Sequence, residues 1–400
     1  EIAQCLVGSE MCIRDSLKLR ASYGMTGNYS IAAYATAGTL HGKYANFNGG
    51  ELHRPGLEPE TRPTPDLEWE RNKMLDIGLD FGFLKGRIHG TIDYYDSKSY
   101  DLLYLKVLPY TSGFNRAWTN IGDTRNRGWE VSLSTVPVET KDFHLGVNLS
   151  YYRNKEELIR LQDPKMKEDI NNGLFVGYPV NGVHYNYKQV GIWQENEADL
   201  AAIYGQKPGE VKVADLDGNG KIDGNDKTYF GYSQRPDYVL GLLGGFRYKN
   251  FEISMQWTAG LHASRMLSGE YRNAFGSTNG RALLKFLADG RWTPENPDAR
   301  FPRLTFLNKS HYLEDSDLWL MDGSYLRLKV AEIGYTFRDI PAFRKVGVKS
   351  LKVYFSGYNL LTLFSDLNDI DIDPEGATSG SNIDSYPNVR IFNFGVNITF

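Results

Sequence analysis

The densest set of ligand-type side chains in this chain falls between residues 215 and 226, in the run DLDGNGKIDGND. Asp215, Asp217, Asn219 and Asp223 offer side-chain oxygens at positions 1, 3, 5 and 9 of a calcium-loop pattern. Lys221 places a backbone carbonyl at position 7, and Gly220 stands at position 6, where the chain must turn sharply. Hard oxygen ligands at that spacing suit calcium, and a structural calcium ion is the expected cofactor. The run departs from the pattern at its last position, where Asp226 replaces the usual glutamate and its shorter arm reaches an ion less readily with both oxygens. Its flanks read as strand and loop rather than two helices, so the expected role is a clip and not a switch that opens a groove. The competing reading is an acidic turn that needs no ion.

The remaining chemistry is sparse. A second acidic run, Asp366, Asp369, Asp371, Asp373 and Glu375, invites a metal or paired-carboxylate reading, but is expected to be a solvated loop. The histidines stand singly at His41, His53, His89, His144, His184, His262 and His311, and no HExxH or GxSxG pattern occurs, so catalysis is not expected. Gly241, Gly244 and Gly245 interrupt a strand pattern, which suits close strand packing better than phosphate binding. Trp118, Trp193, Trp292 and Trp319 fall between strands, where flat apolar rings suit stacking on sugars; packing of the connections against one another is the plainer explanation. Cys5 and Cys12 both lie in the opening stretch EIAQCLVGSEMCIRDS, leaving the rest without a disulfide or thiolate zinc site. Residues 1–16 lack strand alternation, a helical stripe or a signal-peptide pattern, and are expected to be foreign to the fold, making the chain a piece of a longer protein.

The elements that must carry these residues are strands. Tyr 26, Phe 20, Trp 7 and Gly 41 among 400 residues favour strands and turns. A net charge of −4 gives no support to a nucleic-acid partner. No window approaches the ~18 consecutive apolar residues of a spanning helix, which leaves membrane-crossing strands open. Period-two alternation is clean in Leu17, Leu19, Ala21, Tyr23 and Met25, and again in Leu75, Ile77, Leu79, Phe81 and Phe83. It recurs through Ile88–Tyr94, Trp129–Leu133, Phe143–Tyr151, Tyr238–Tyr248, Phe251–Trp257, Leu351–Phe355 and Phe392–Phe400. Between Tyr325 and Phe337 the apolar phase changes from even to odd, predicting a bulge near Ala331 and Glu332.

The connections alternate in length. Tight turns are expected at Leu84–Gly86, Glu139–Asp142 and Lys249–Asn250, with a moderate one at Arg338–Lys349. Long connections are expected near 26–66, 106–118, 156–235, 267–320 and 361–387. Short turns on one side and long loops on the other is the pattern of an outer-membrane barrel, and a β-sandwich has no reason to sort its loops this way. The expected fold is therefore all-β: about ten C-terminal strands of an antiparallel transmembrane β-barrel with long extracellular loops. The lumen would receive Asp76, Asp80, His89, Asp93 and Glu130, and lipid the aromatic and aliphatic set.

Several segments together resemble the C-terminal half of the SusC/RagA family of TonB-dependent outer-membrane transporters. They are LKLRASYGMTGN, PDLEWERNKMLDIGLDFGFLKGRIHGTIDYYDSKSYDLL, NIGDTRNRGWEVSLS, DLDGNGKIDGND, SYLRLKVAEIGYTF, VYFSGYNLLTL and NVRIFNFGVNITF. The resemblance implies a barrel of roughly 22 strands around an N-terminal plug. It also implies a SusD-like surface lipoprotein as lid, glycan or peptide fragments as cargo, and energy from the TonB complex through a portion absent here. The final strand, ending on Phe400, resembles the signal that the barrel assembly machinery reads before insertion into outer-membrane lipid. The alternative class is a secreted, calcium-stabilised β-rich glycan-binding protein or glycoside hydrolase.

Overall fold

The computed structural model describes residues 16–28, 31–47, 52–180, 182–267, 284–304, 316–338, 340–345, 347–370, 372–376 and 387–400. Cys5, Cys12, His311 and Asp371 lie outside them, as does the proposed leader except its last residue, Ser16. Ser16 is not foreign to the fold: it opens the first strand and pairs with Gly82.

Ten strands form one antiparallel sheet in which each lies beside the next in sequence. We number them β1 (Ser16–Asn28), β2 (Glu70–Phe83), β3 (Ile88–Tyr100), β4 (Gly122–Glu139), β5 (Phe143–Leu161), β6 (Tyr238–Tyr248), β7 (Phe251–Leu261), β8 (Tyr325–Arg338), β9 (Ser350–Leu363) and β10 (Ile391–Thr399). The β2–β3, β4–β5 and β6–β7 connections are tight, β8–β9 is moderate, and the long connections alternate with these four. The β6–β7 hairpin turns on two residues with Lys249 at φ 54°, the left-handed geometry that matches strand twist.

Registration follows from alternation. Leu19, Leu79, Ile92, Val131, Tyr151, Leu240, Ala259, Leu326 and Leu363 form one continuous apolar row from β1 to β9. One residue away, Lys18, Asp80, Thr91, Ser132, Ser150, Gly241, Thr258, Arg327 and Thr362 form a row on the opposite face. A one-residue slip would exchange the faces, so the pattern pins every pairing. The apolar face is bare, with Leu19 74% exposed, as a face meant for lipid must be. On the polar face Arg20 donates to Asp80 at 2.9 Å and Asp93 at 2.6 Å. Gly78 makes room for that group, since a Cβ there would overlap both Asp93 and Arg20.

The bulge in β8 lies at Lys329, slightly earlier than the alternation suggested. Gln256 pairs with Val330 and Trp257 with Leu328, leaving Lys329 as the extra residue. Val330 thereby joins the polar face opposite Gln256, while Ala331, Ile333 and Tyr335 continue the apolar one. Hydropathy alone placed the shift late because Val330 is apolar on an inward position. Tyr94 and Trp129 pack at 5.0 Å between ring centroids near the long-loop end of the apolar face, whereas Trp257 sits among aliphatic neighbours, Leu242 and Leu328.

β10 is an edge strand with one neighbour among the described residues, and Phe400 is 71% exposed beyond its end. Deleting Phe400 from the full-length protein is expected to lower outer-membrane levels severalfold without changing transport per inserted molecule. Immunoblotting of membrane fractions checks this, and unchanged levels would remove the assembly role.

Candidate functional site

The long connections are not loose loops. Thr39–Phe47, Leu52–Arg62, Arg116–Asn120 and Leu103–Val107 form a four-stranded sheet that joins the β1–β2 and β3–β4 connections. The β5–β6, β7–β8 and β9–β10 connections share a hydrophobic core. Tyr187, Val211 and Val213 come from the first, Leu267, Leu287, Phe301, Trp319 and Met321 from the second, and Leu367 and Ile370 from the third. Val211 and Val213 alternate on the short strand Val211–Val213, which pairs with Gln189–Ile192, so two adjacent apolar positions meet the cluster and Lys212 does not. The main core of the described chain therefore lies outside the membrane-facing sheet.

The acidic run is anchored into that layer at both ends. Val213 precedes Asp215, and the strand Lys227–Phe230 that follows Asp226 pairs with His184–Tyr187. Ile222, at the centre of the run, packs against the core. Carboxylate oxygens of Asp215, Asp217 and Asp226 lie within 4.8 Å of one another. Asp226 is fully buried, accepting from the Leu216 N–H and the Asp223 N–H at 2.8 Å each. Asp215 accepts from the Gly218 N–H at 2.7 Å and the Gly220 N–H at 2.9 Å, and the Gly220 bond leads in holding its carboxyl below the usual carboxylate range. Gly218 and Gly220 have φ of 72° and 79°, positions where a side chain would strain the turn.

The other expected ligands are placed differently. Asn219 Oδ1 accepts from the Lys221 N–H at 2.7 Å, and Asp223 caps the turn Gly224–Asp226 by accepting from the Asn225 N–H at 2.8 Å. Asp223 is not among the three converging carboxylates. The donor chemistry of that trio, three carboxylates offering oxygen only, fits a hard cation.

The tryptophans serve the loop layer. Trp319 is fully buried and stacks on Phe301 at 5.7 Å. Trp193 is 2% exposed, donates its indole N–H to Gln206 at 2.6 Å and lies beneath the Lys212 ammonium. Trp292 is 7% exposed and donates to Gln194 at 3.1 Å. A ring with no open face has nowhere to stack a sugar, so the stacking expectation does not hold for these three in this arrangement. Trp118, opposite Leu105 in the four-stranded sheet, is half-buried.

The second acidic run departs most from expectation. Asp373 and Glu375 are pinned to the barrel wall rather than solvated. Arg327 on the polar face of β8, with its side chain 4% exposed, donates to Asp373 at 2.7 Å and Glu375 at 2.6 Å. Lys329, the bulged residue, reaches the same Glu375 at 2.5 Å, and Arg265 donates to the Pro374 carbonyl at 2.7 Å. Burial alone would raise the Asp373 pKa, but hydrogen bonds from Arg327 and the Glu375 and Asn388 N–H groups outweigh it and hold the carboxyl below its ordinary value. Two cations spaced along β8 were visible in the sequence, but their partners lie about one long connection away. Arg327, Asn359, Asp373 and Asn388 border a polar pocket of about 370 Å³.

A ten-stranded antiparallel sheet with a bare apolar face, tight turns at one end and a folded layer at the other defines an outer-membrane β-barrel portion of the receptor and transporter type. Residues 13–360 match the family described as TonB dependent receptor-like, beta-barrel, and the chain belongs to it. A TonB-dependent receptor of Formosa agariphila is 33% identical over 96% of this chain and 40% of its own length. The TonB-dependent receptor SusC of Bacteroides thetaiotaomicron is 29% identical over 97% of this chain and 38% of its own. The RagAB peptide transporter structure superposes with a TM-score of 0.71 at 23% identity, covering 96% of this chain and 41% of that one, which speaks to the fold alone. The chain thus spans about 40% of the length of the curated relatives it matches. The SusC/RagA resemblance read from the sequence holds, and so does the outer-membrane location.

Proposed function

We propose that this chain is the C-terminal, loop-bearing part of an active importer that takes up glycan or peptide fragments through the outer membrane. A SusD-like lipoprotein would close over the loop layer, and the TonB complex would act on the portion of the protein preceding β1. The observation that carries this reading is that three long connections share one core on a single side of the sheet. Such a layer gives a lid a firm rim and gives cargo a defined mouth, while the polar inner face leads inward. A secreted binding protein or hydrolase would cover the apolar face instead of leaving it bare. Import is tested by offering labelled oligosaccharide and peptide mixtures to cells with and without the full-length gene. Accumulation of one class only in cells with the gene is expected; equal uptake would defeat the reading.

Calcium at Asp215, Asp217 and Asp226 is the second part of the proposal, with the Asn219 and Asp223 oxygens and the Lys221 carbonyl completing the shell in the bound form. The three gathered carboxylates repel one another without a cation, which favours opening of the run. Extracellular sites of this kind bind at roughly 10⁻⁴–10⁻³ M. Millimolar calcium is expected to slow proteolysis of the full-length transporter between residues 205 and 230, and Asp215→Ala or Asp217→Ala to abolish the protection while leaving insertion intact. Cleavage at one rate in all cases would mean an acidic turn only.

A further inference from the structure

Strand registration places an unexpected charge pattern on the outward face. Directly beyond the Tyr94–Trp129 pair, on the side of the long connections, two rows of outward positions cross β2 to β5. They carry Lys73, Lys98, Arg125, Arg127, Arg153 and Lys155, counting Arg153 opposite Trp129, against two carboxylates, Asp96 and Glu157. This excess of cations stands on a chain whose net charge is −4. Asp96 is taken by Arg125 at 2.8 Å, and Glu157 is shared by Arg127 at 3.7 Å and Lys155 at 3.1 Å. Lys73, Lys98 and Arg153 form no contact ion pair among the described residues, and Lys98 meets Asp96 only through its field, since that carboxylate is held by Arg125. Lys73 stands over the Tyr100 ring at 5.0 Å and Arg153 over the Tyr238 ring at 5.1 Å.

Beneath Arg153, the outward face holds an apolar groove of about 610 Å³ lined by Val131, Leu133, Leu149, Tyr151, Leu240 and Leu242 among others. We propose that the belt and groove bind a phosphate-bearing lipid of the outer leaflet, its headgroup against the cations and an acyl chain in the groove. Position selects this occupant. A basic patch away from a membrane would suit many anions, but this one lies on the lipid-facing side of the sheet, just past the aromatic pair that marks the bilayer interface. There the phosphates of outer-leaflet lipid are the anions within reach, and basic residues at such a surface attract them. Arg127 can approach phosphate oxygens with two N–H groups, Arg125 keeps its fork on Asp96 and adds field, and Lys73 and Lys98 add mobile charge at the edge.

The test uses the full-length transporter in phosphatidylcholine vesicles holding equal amounts of bis-phosphorylated lipid A and its dephosphorylated form, with lipids retained after mild detergent extraction counted by native mass spectrometry. The unaltered protein is expected to retain the phosphorylated form roughly tenfold over the other. Lys73→Gln, Lys98→Gln and Arg153→Gln together should remove that preference without removing any ion pair within the protein. The charge-keeping set Lys73→Arg, Lys98→Arg and Arg153→Lys should preserve it. Equal retention of both lipids by the unaltered protein, or an undiminished preference in the glutamine variant, would overturn the proposal.

Discussion

Trp319→Ala in the full-length transporter is expected to unfold the extracellular layer while the barrel inserts normally. The Trp319 ring is fully buried, stacks on Phe301 and sits where three connections meet through Val213, Leu287, Met321 and Leu367. Removing a buried indole costs about 3–5 kcal/mol, because the cavity left behind closes only in part. Hydrogen bonds and an ion pair also tie these connections, among them Trp292 to Gln194, Arg303 to Glu210 and Arg265 to the Pro374 carbonyl, and the loss should fall on this layer and not on the sheet, whose pairing is backbone-based. Limited proteolysis should show rapid cleavage between residues 187 and 375, with the barrel still folded by heat-modifiable migration on gels. Cleavage as slow as in the unaltered protein would mean that the connections fold independently of one another. Asp215 and Asp217 variants should act more locally, since only Ile222 joins their run to this core.

Arg327→Ala should free the last long connection from the barrel wall. It would leave Asp373 and Glu375 near the wall with Lys329 on Glu375 and Arg265 near Asp373 but without the Arg327 fork, and breaking a buried pair on one side costs about 3–5 kcal/mol. Arg327→Lys is not a repair, because a single ammonium cannot hold Asp373, Glu375 and Thr362 together as the planar fork does. The same contact makes the anchor acid-sensitive in a defined direction. The folded Asp373 carboxyl lies below its ordinary 3.8, so its contribution is fully present above that value and is lost as pH falls through the lower, folded one. Hydrogen exchange at residues 372–376 in the intact transporter is expected to rise in Arg327→Ala at neutral pH, and in the unaltered protein only in strong acid. Exchange unchanged by the substitution would show that Arg265 and the Leu367–Ile370 contacts suffice.

The ten strands, their faces and the sorting of short and long connections were legible because side chains alternate with a period of two and lipid demands an unbroken apolar face. Local pattern also pointed to the acidic run 215–226, whose three gathered carboxylates are close in sequence. Two features escaped. The bulge was set late because Val330 is apolar on an inward position, and hydropathy cannot see hydrogen-bond registration. Asp373 and Glu375 were read as solvated because a run of acids near Gly376 looks like any surface loop until Arg327 is placed beside it.

What the sequence by itself determined, then, is everything governed by alternation and near-neighbour spacing: strand identity, the lipid and lumen sets, and the turn side. What only the tertiary structure decided is which connections pair with which. Trp319 and Val213 share one core, Arg265 meets Pro374, and the outward cations of β2 to β5 meet in one belt, through contacts between residues far apart in the chain. Such contacts leave no periodic trace, because each depends on how the strands register and where the long connections return, and that geometry is fixed only when the whole sheet has formed.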